Sequence, residues 1–404
     1  MYPAYQTHTD LMWPLRTAAS LSLPFLTGNG LGALRPPGHR HLAAALKLLA
    51  LTEVTHRRPP WAIDHVRVKG EDVPVVEEEV QVTPFATLRR FVKPGQPTQP
   101  KVLVVAPMSG HFATLLRDTV RTLLQDHDVH VTDWHNVRDV PLAAGRFGLD
   151  EYTQHIIDFL AAMGPNGNVV AVCQPCVAAL AAVAVMAEDG HPAAPASLTL
   201  MAGPIDCRIS PTEVNKLATS KPISWFEQNL ISPVPWRYAG AGRRVYPGFV
   251  QLAAFMSMNP DRHRNAFSDY YRHVLDDETE KAQVTQAFYE EYLAVADLSA
   301  EFYLETVELV FQKYALPKGE LKFKGRTVDP AAIRRTALVT VEGERDDICA
   351  IGQTLAAQDI ASSLRPYMRT HYVQPGVGHY GVFSGRRWQN HIYPLLRDVI
   401  HVSQ

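Results

Sequence analysis

Short, uninterrupted apolar runs alternate along this chain with longer stretches in which apolar residues recur at helical spacing. The runs are Lys101 to Val105, Val129 to Thr132, Asn168 to Cys173 and Ser197 to Met201. Between them, Phe112 to about Gln125, Asp150 to Met163 and Val177 to Glu188 carry helical spacing. Apolar runs this short read as strands covered on both faces, and helices joining them make a parallel, doubly wound sheet. After Gly203-Pro204 the alternation stops. It resumes with a strand at Ala337 to Val341, a helix, a strand at Thr370 to Val373 and a last helix. A large helical cap, at about 208–330, is therefore expected to interrupt the sheet domain.

Ahead of the core, Val73 to Val92 is rich in Val, Thr and Phe and predicts a strand pair at a sheet edge, ended by Pro94-Gly95-Gln96-Pro97. Residues 1 to about 70 read as mixed helix and loop, punctuated by Pro36-Pro37 and Pro59-Pro60. The expected organisation is an N-terminal extension with edge strands over 1–97, sheet domain over 98–207, cap over 208–330 and sheet domain again over 331–404. The cap is dense in large rings, most of them expected to pack its own core. Trp225 and Trp236 are the first candidates for binding substrate.

Composition changes this picture little but removes several functions from it. Of 404 residues, 46% are hydrophobic and 20% charged, as in globular proteins with a large core. A formal net charge of -2 without a basic run argues against nucleic acid as a partner. The apolar passage Val177 to Ala187 is too short to span a bilayer and predicts a helix buried on all sides, so no membrane insertion is expected. The opening MYPAYQTHTDLMWPLR lacks the basic start and apolar core of a secretory signal. Four cysteines in a chain of this size fit a reducing, cytoplasmic setting.

In such a sheet the chemistry gathers at the carboxyl ends of the strands, and three ends stand out. AVCQPCVAAL runs from strand into helix, and the sharp turn of a nucleophile elbow is expected to carry Cys176. Ala178 supplies the small neighbour two residues on, whereas Gln174, two residues before, departs from the usual glycine. VEGERDDICA offers Asp346, with Asp347 as the alternative, as the acid that orients a histidine. YVQPGVGHYGVFSG brings His379 back over the sheet edge on a glycine-rich loop. Nucleophile, acid and histidine in this order are what α/β-hydrolases share. An oxyanion site would then use the Val177 amide and one from VVAPMSGHF, with Met108 preferred and Ser109 as the alternative. The Cys173-x-x-Cys176 spacing also occurs in dithiol and zinc motifs, but further ligands at zinc spacing are missing and no thioredoxin-like context surrounds it. Cys207 and Cys349 read as packing residues, and no metal or organic cofactor is expected.

Taken together, VCQPCVAAL, LTLMAGPIDCRISPTEVN, ISWFEQNLI, VEGERDDI and GVGHYGVFSG resemble the intracellular polyhydroxybutyrate depolymerases over nearly the whole chain. The resemblance implies an α/β-hydrolase fold with Cys176, Asp346 and His379 as triad. It also implies hydrolysis of amorphous poly-(R)-3-hydroxybutyrate to oligomers and monomer, with the polymer granule as partner. The related polyhydroxyalkanoate synthases carry glycines around their cysteine, and QPCVA in that place favours a depolymerase. A synthase-like acyltransferase, a granule-binding protein without turnover and a small-ester hydrolase are the rival readings.

Overall fold

In the computed structural model, which describes residues 1–27 and 38–404, eight strands form one sheet. They are β1 (Val76–Val82), β2 (Ala86–Val92), β3 (Lys101–Val105), β4 (Asp128–Trp134), β5 (Gly167–Val172), β6 (Ser197–Met201), β7 (Ala337–Gly343) and β8 (Arg369–Gln374). Their order across the sheet is β1-β2-β4-β3-β5-β6-β7-β8. β2 runs antiparallel to both neighbours, and β4 through β8 pair in parallel with β3 among them. This is the mostly parallel, doubly wound sheet that the apolar runs predict, with the expected edge pair as the β1/β2 hairpin. β1 reads VEEEVQV, and its Glu77, Glu78 and Glu79 lie within ion-pair range of Arg89 and Arg90 on β2. Charge on the outermost strand discourages pairing with another chain.

Sequence reverses direction in the sheet between β3 and β5, where β4 is laid on the far side of β3. Open parallel sheets bind ligands in the crevice at such a switch point, beyond the carboxyl ends of the strands. The helix that follows β5, Cys176–Glu188, has every residue from Cys176 to Met186 buried, as its unbroken apolar sequence requires.

The inserted helices between β6 and β7 begin at Glu213 and end at Gln312. Three of them, α3 (Gly248–Met258), α4 (Pro260–Leu275) and α5 (Thr279–Tyr292), build a separate small core around Leu252, Tyr270, Tyr289 and Tyr292. The first two helices of the chain, α1 (Tyr2–Thr27) and α2 (His39–Leu51), join the cap: Leu48 and Leu51 enter its core. Tyr2 donates to Asp297 at 2.7 Å, and Tyr5 stacks on Phe249 at 3.8 Å. The Pro36-Pro37 punctuation falls outside the described residues.

Buried histidines in this framework contribute to its response to acid. Burial holds His111, His127 and His130 down at about 4, in each case against a backbone carbonyl that favours the proton. Their unfolded counterparts titrate near 6.5, so this part of the stability is present above pH 6.5 and is lost as pH falls toward 4. Asp297, which burial raises to about 6, contributes in the opposite sense. His56, which burial holds down at about 3, adds to the loss in the same sense, so Asp297 does not cancel it, at about 1.4 kcal/mol for each pH unit over which a proton separates the states. The urea midpoint is therefore expected to drop steeply between pH 6.5 and 4.5. A flat midpoint across that range would show that these rings take up protons without unfolding.

Candidate active site

β5 ends at Val172, and the next residue, Cys173, has φ +68°. A left-handed backbone at a residue with a side chain is uncommon and costs free energy, so it persists only where the surroundings enforce it. Here the Cys173 amide donates to the Met201 carbonyl at 2.7 Å, and the Cys173 carbonyl accepts from the Cys176 amide at 3.2 Å. The strand is thus turned within three residues into the helix that opens at Cys176. Ala171 and Pro175, two residues to either side of Cys173, are compact, as a tight strand-to-helix turn requires.

The residue at the turn is therefore Cys173, which corrects the expectation that Cys176 stands there. Cys176 is the first residue of the helix and fully buried. Its Sγ faces backward into the sheet, 3.4 Å from the Ala171 carbonyl and 3.7 Å from that of Met201. Gly203 at the end of β6 explains how the sulfur fits: a Cβ at that position would overlap the Cys176 side chain. Burial pushes the Cys176 thiol far up, so it is held as a neutral packing group.

Asp346 and His379 meet across the carboxyl ends of β7 and β8. The Asp346 carboxylate accepts from His379 Nδ1 at 2.7 Å through one oxygen and from the Ile348 and Cys349 amides, both at 2.9 Å, through the other. Both side chains are buried, whereas Asp347 is exposed. The loop that carries the aspartate is anchored by Glu342, a fully buried carboxylate that accepts from the Gly352, Thr354 and Leu355 amides. Arg345 N in turn donates to the Val377 carbonyl at 2.9 Å, tying this loop to the one bearing His379.

The imidazole faces Cys173, not Cys176. Burial by itself would push His379 down, but its neighbours Cys173 and Asp346, the latter bonded to Nδ1, outweigh it and raise the ring well above its ordinary range. With Nδ1 committed to Asp346, Nε2 is left for the sulfur.

The amide expected at Val177 belongs to a nucleophile at Cys176; with the turn at Cys173, the following amide is that of Gln174. Met108 lies where the sequence placed it, on the loop after β3, and its N–H donates to Gln174 Oε1 at 3.3 Å. Ser109 is half-buried beside it, and Gly110, at φ +92°, packs against Gln251 of the cap. A cleft of about 320 Å³ opens beside His379 and Tyr380, walled by the cap rings Phe255, Phe288 and Tyr292. Trp225 and Trp236 do not line it. Trp236 is 88% exposed, and Trp225 packs edge-on against Phe226. Residue type alone singled them out; the wall is made instead by rings projected from α3 and α5. Among the described residues no group of three or more His, Cys, Asp or Glu is placed to hold a metal ion, and no helix is long and apolar enough to cross a membrane.

The strand order, the strained turn after β5 and the acid and histidine at the ends of β7 and β8 define an α/β-hydrolase. A family model described as the C-terminus of PHB depolymerase matches residues 202–404, half of the chain. The chain belongs to the PHB depolymerase family. No curated protein matches it. Solved structures with a similar fold include an α/β hydrolase, GrgF, from a Penicillium species, at 15% identity and TM-score 0.44, covering 82% of this chain and 99% of that one. A 2-hydroxy-6-oxo-6-phenylhexa-2,4-dienoate hydrolase from a Rhodococcus strain is 12% identical, with TM-score 0.44 and coverage of 81% and 99%. A thermophilic esterase from Thermogutta terrifontis is 13% identical, with TM-score 0.41 and coverage of 83% and 97%.

Proposed function

We propose that this chain hydrolyses the ester bonds of amorphous poly-3-hydroxybutyrate through an acyl thioester on Cys173. The observation that carries the reading is the left-handed Cys173 at the end of β5 facing His379, which Asp346 holds at 2.7 Å. His379 takes the thiol proton, and the thiolate attacks the ester carbonyl. The carbonyl oxygen, now negative, is held by the Gln174 and Met108 amides. The Met108 N–H already donates to an amide oxygen, that of the Gln174 side chain, which substrate would displace. As the C–O bond breaks, His379 returns the proton to the departing alkoxide. It then removes a proton from water, whose attack on the thioester frees the acid and restores the thiol. Asp346 keeps the ring oriented and stabilises its cationic form throughout.

The cleft walled by Phe255, Phe288 and Tyr292 suits one mobile apolar chain and not a face of packed chains. Incubation of the pure protein with amorphous and with crystalline polymer, followed by product analysis, tests this. Release of 3-hydroxybutyrate and its oligomers is expected from amorphous material, at least ~10-fold faster than from crystalline, given that a pocket must enclose its ligand. Chain growth from hydroxyacyl-CoA without release would assign the site to acyl transfer, and ready digestion of crystalline polymer would refute the single-chain cleft.

A further inference from the structure

Two cationic side chains in the cleft have no task in the chemistry above. Arg262, on α4 of the cap, and Arg345, on the loop just before Asp346, both line the space beside His379. Other arginines of α4 are engaged: Arg264 pairs with Asp261 at 2.9 Å, and Arg272 with Asp269. Arg262 and Arg345 have no ion-pair partner among the described residues. Asp347 opens onto the same cleft, so two guanidinium groups stand against one carboxylate, with the neutral amide of Asn259 among them. A cleft that sets the rings of Phe255, Phe288 and Tyr292 beside an excess of cation is built for a ligand that is apolar in part and anionic at one end. Arginine is suited to that end, because its planar fork matches a carboxylate bidentately.

Resting on the ester-hydrolase reading, we infer that Arg262 and Arg345 form a subsite for the free carboxylate of a hydroxyacid oligoester, so that cleavage is directed to the carboxyl end of the chain. The direction of the ester bond supports this. Attack by Cys173 forms the S–C bond and breaks the C–O bond, and the fragment that leaves as alkoxide is the one ending in the carboxylate. Its oxygen takes the proton from His379, so the leaving fragment lies on the His379 side of the sulfur, where the cleft is. The volume of about 320 Å³ is at the small end for ligand sites, which fits a short terminal segment.

The test compares a 3-hydroxybutyrate trimer as free acid with the same trimer as its methyl ester. Hydrolysis is measured in the parent protein, and binding by calorimetry in Cys173→Ala. The parent is expected to prefer the acid by ~10-fold or more in kcat/KM, consistent with charge-assisted pairing. Arg262→Gln and Arg345→Gln should each shrink that preference, the double variant should bring the ratio near one, and Arg262→Lys should retain part of it. Calorimetry should show the same order of affinities. If the parent cleaves and binds acid and methyl ester equally, the carboxylate subsite is wrong while the hydrolase reading stands. If the parent cleaves neither trimer nor amorphous polymer, both fall together.

Discussion

Cys173→Ala is expected to lower ester hydrolysis by at least ~10³-fold, while Cys176→Ala keeps most of it; loss of a nucleophile leaves only binding and oxyanion stabilisation. The two cysteines are three residues apart, but their surroundings differ in kind. Cys173 sits at the left-handed turn with His379 against it, whereas the Cys176 sulfur is shut between the backbones of β5 and β6 with no access to solvent. Removing the Cys176 sulfur deletes one buried group, at a cost of about 1 kcal/mol in stability and little in chemistry. Mass spectrometry after a rapid acid quench should find the acyl group on the peptide from the Cys173 site; because that peptide also contains Cys176, fragmentation must resolve the sulfur. Acyl modification confined to Cys176, or equal loss of activity in both variants at equal folding, would overturn the assignment.

The second large effect concerns the acid. Asp346→Asn should reduce kcat on the order of 10³–10⁴-fold, and Asp347→Asn should cost far less. Asp346 is buried and accepts three hydrogen bonds, one from His379 and two from the Ile348 and Cys349 amides. An asparagine there can accept through its oxygen from the two amides only by presenting its NH₂ to His379 Nδ1. That forces the proton onto Nε2, the atom that must receive it from Cys173. The loss should therefore appear in kcat, with KM and the folding midpoint moving little. Asp347 is exposed, and it is the Asp346 carboxylate that accepts from His379 Nδ1. A larger loss for Asp347→Asn would transfer the role to it.

The alternation of apolar runs with helical spacing was enough to read the parallel sheet and the edge hairpin. Buried strands and amphipathic helices have different periods, and those periods are local properties of the chain. The placement of Asp346 and His379 was legible for a related reason: both follow directly on strands whose ends the pattern marks. Which cysteine stands at the turn was not legible. Strand and helix are separated by only three residues, Cys173, Gln174 and Pro175, and a shift of the turn within AVCQPC leaves the apolar pattern almost unchanged. The choice is made by contacts remote in sequence: the Met201 carbonyl that holds the Cys173 amide, the absent side chain at Gly203 that admits Cys176, and the imidazole on the loop after β8. The cleft was decided in the same way. Trp225 and Trp236 are conspicuous in sequence, yet Phe255, Phe288 and Tyr292 form its wall, because helix packing in the cap determines which rings turn toward His379. Period and strand ends are written along the chain; the facing of one side chain toward another exists only once the sheet and cap have closed.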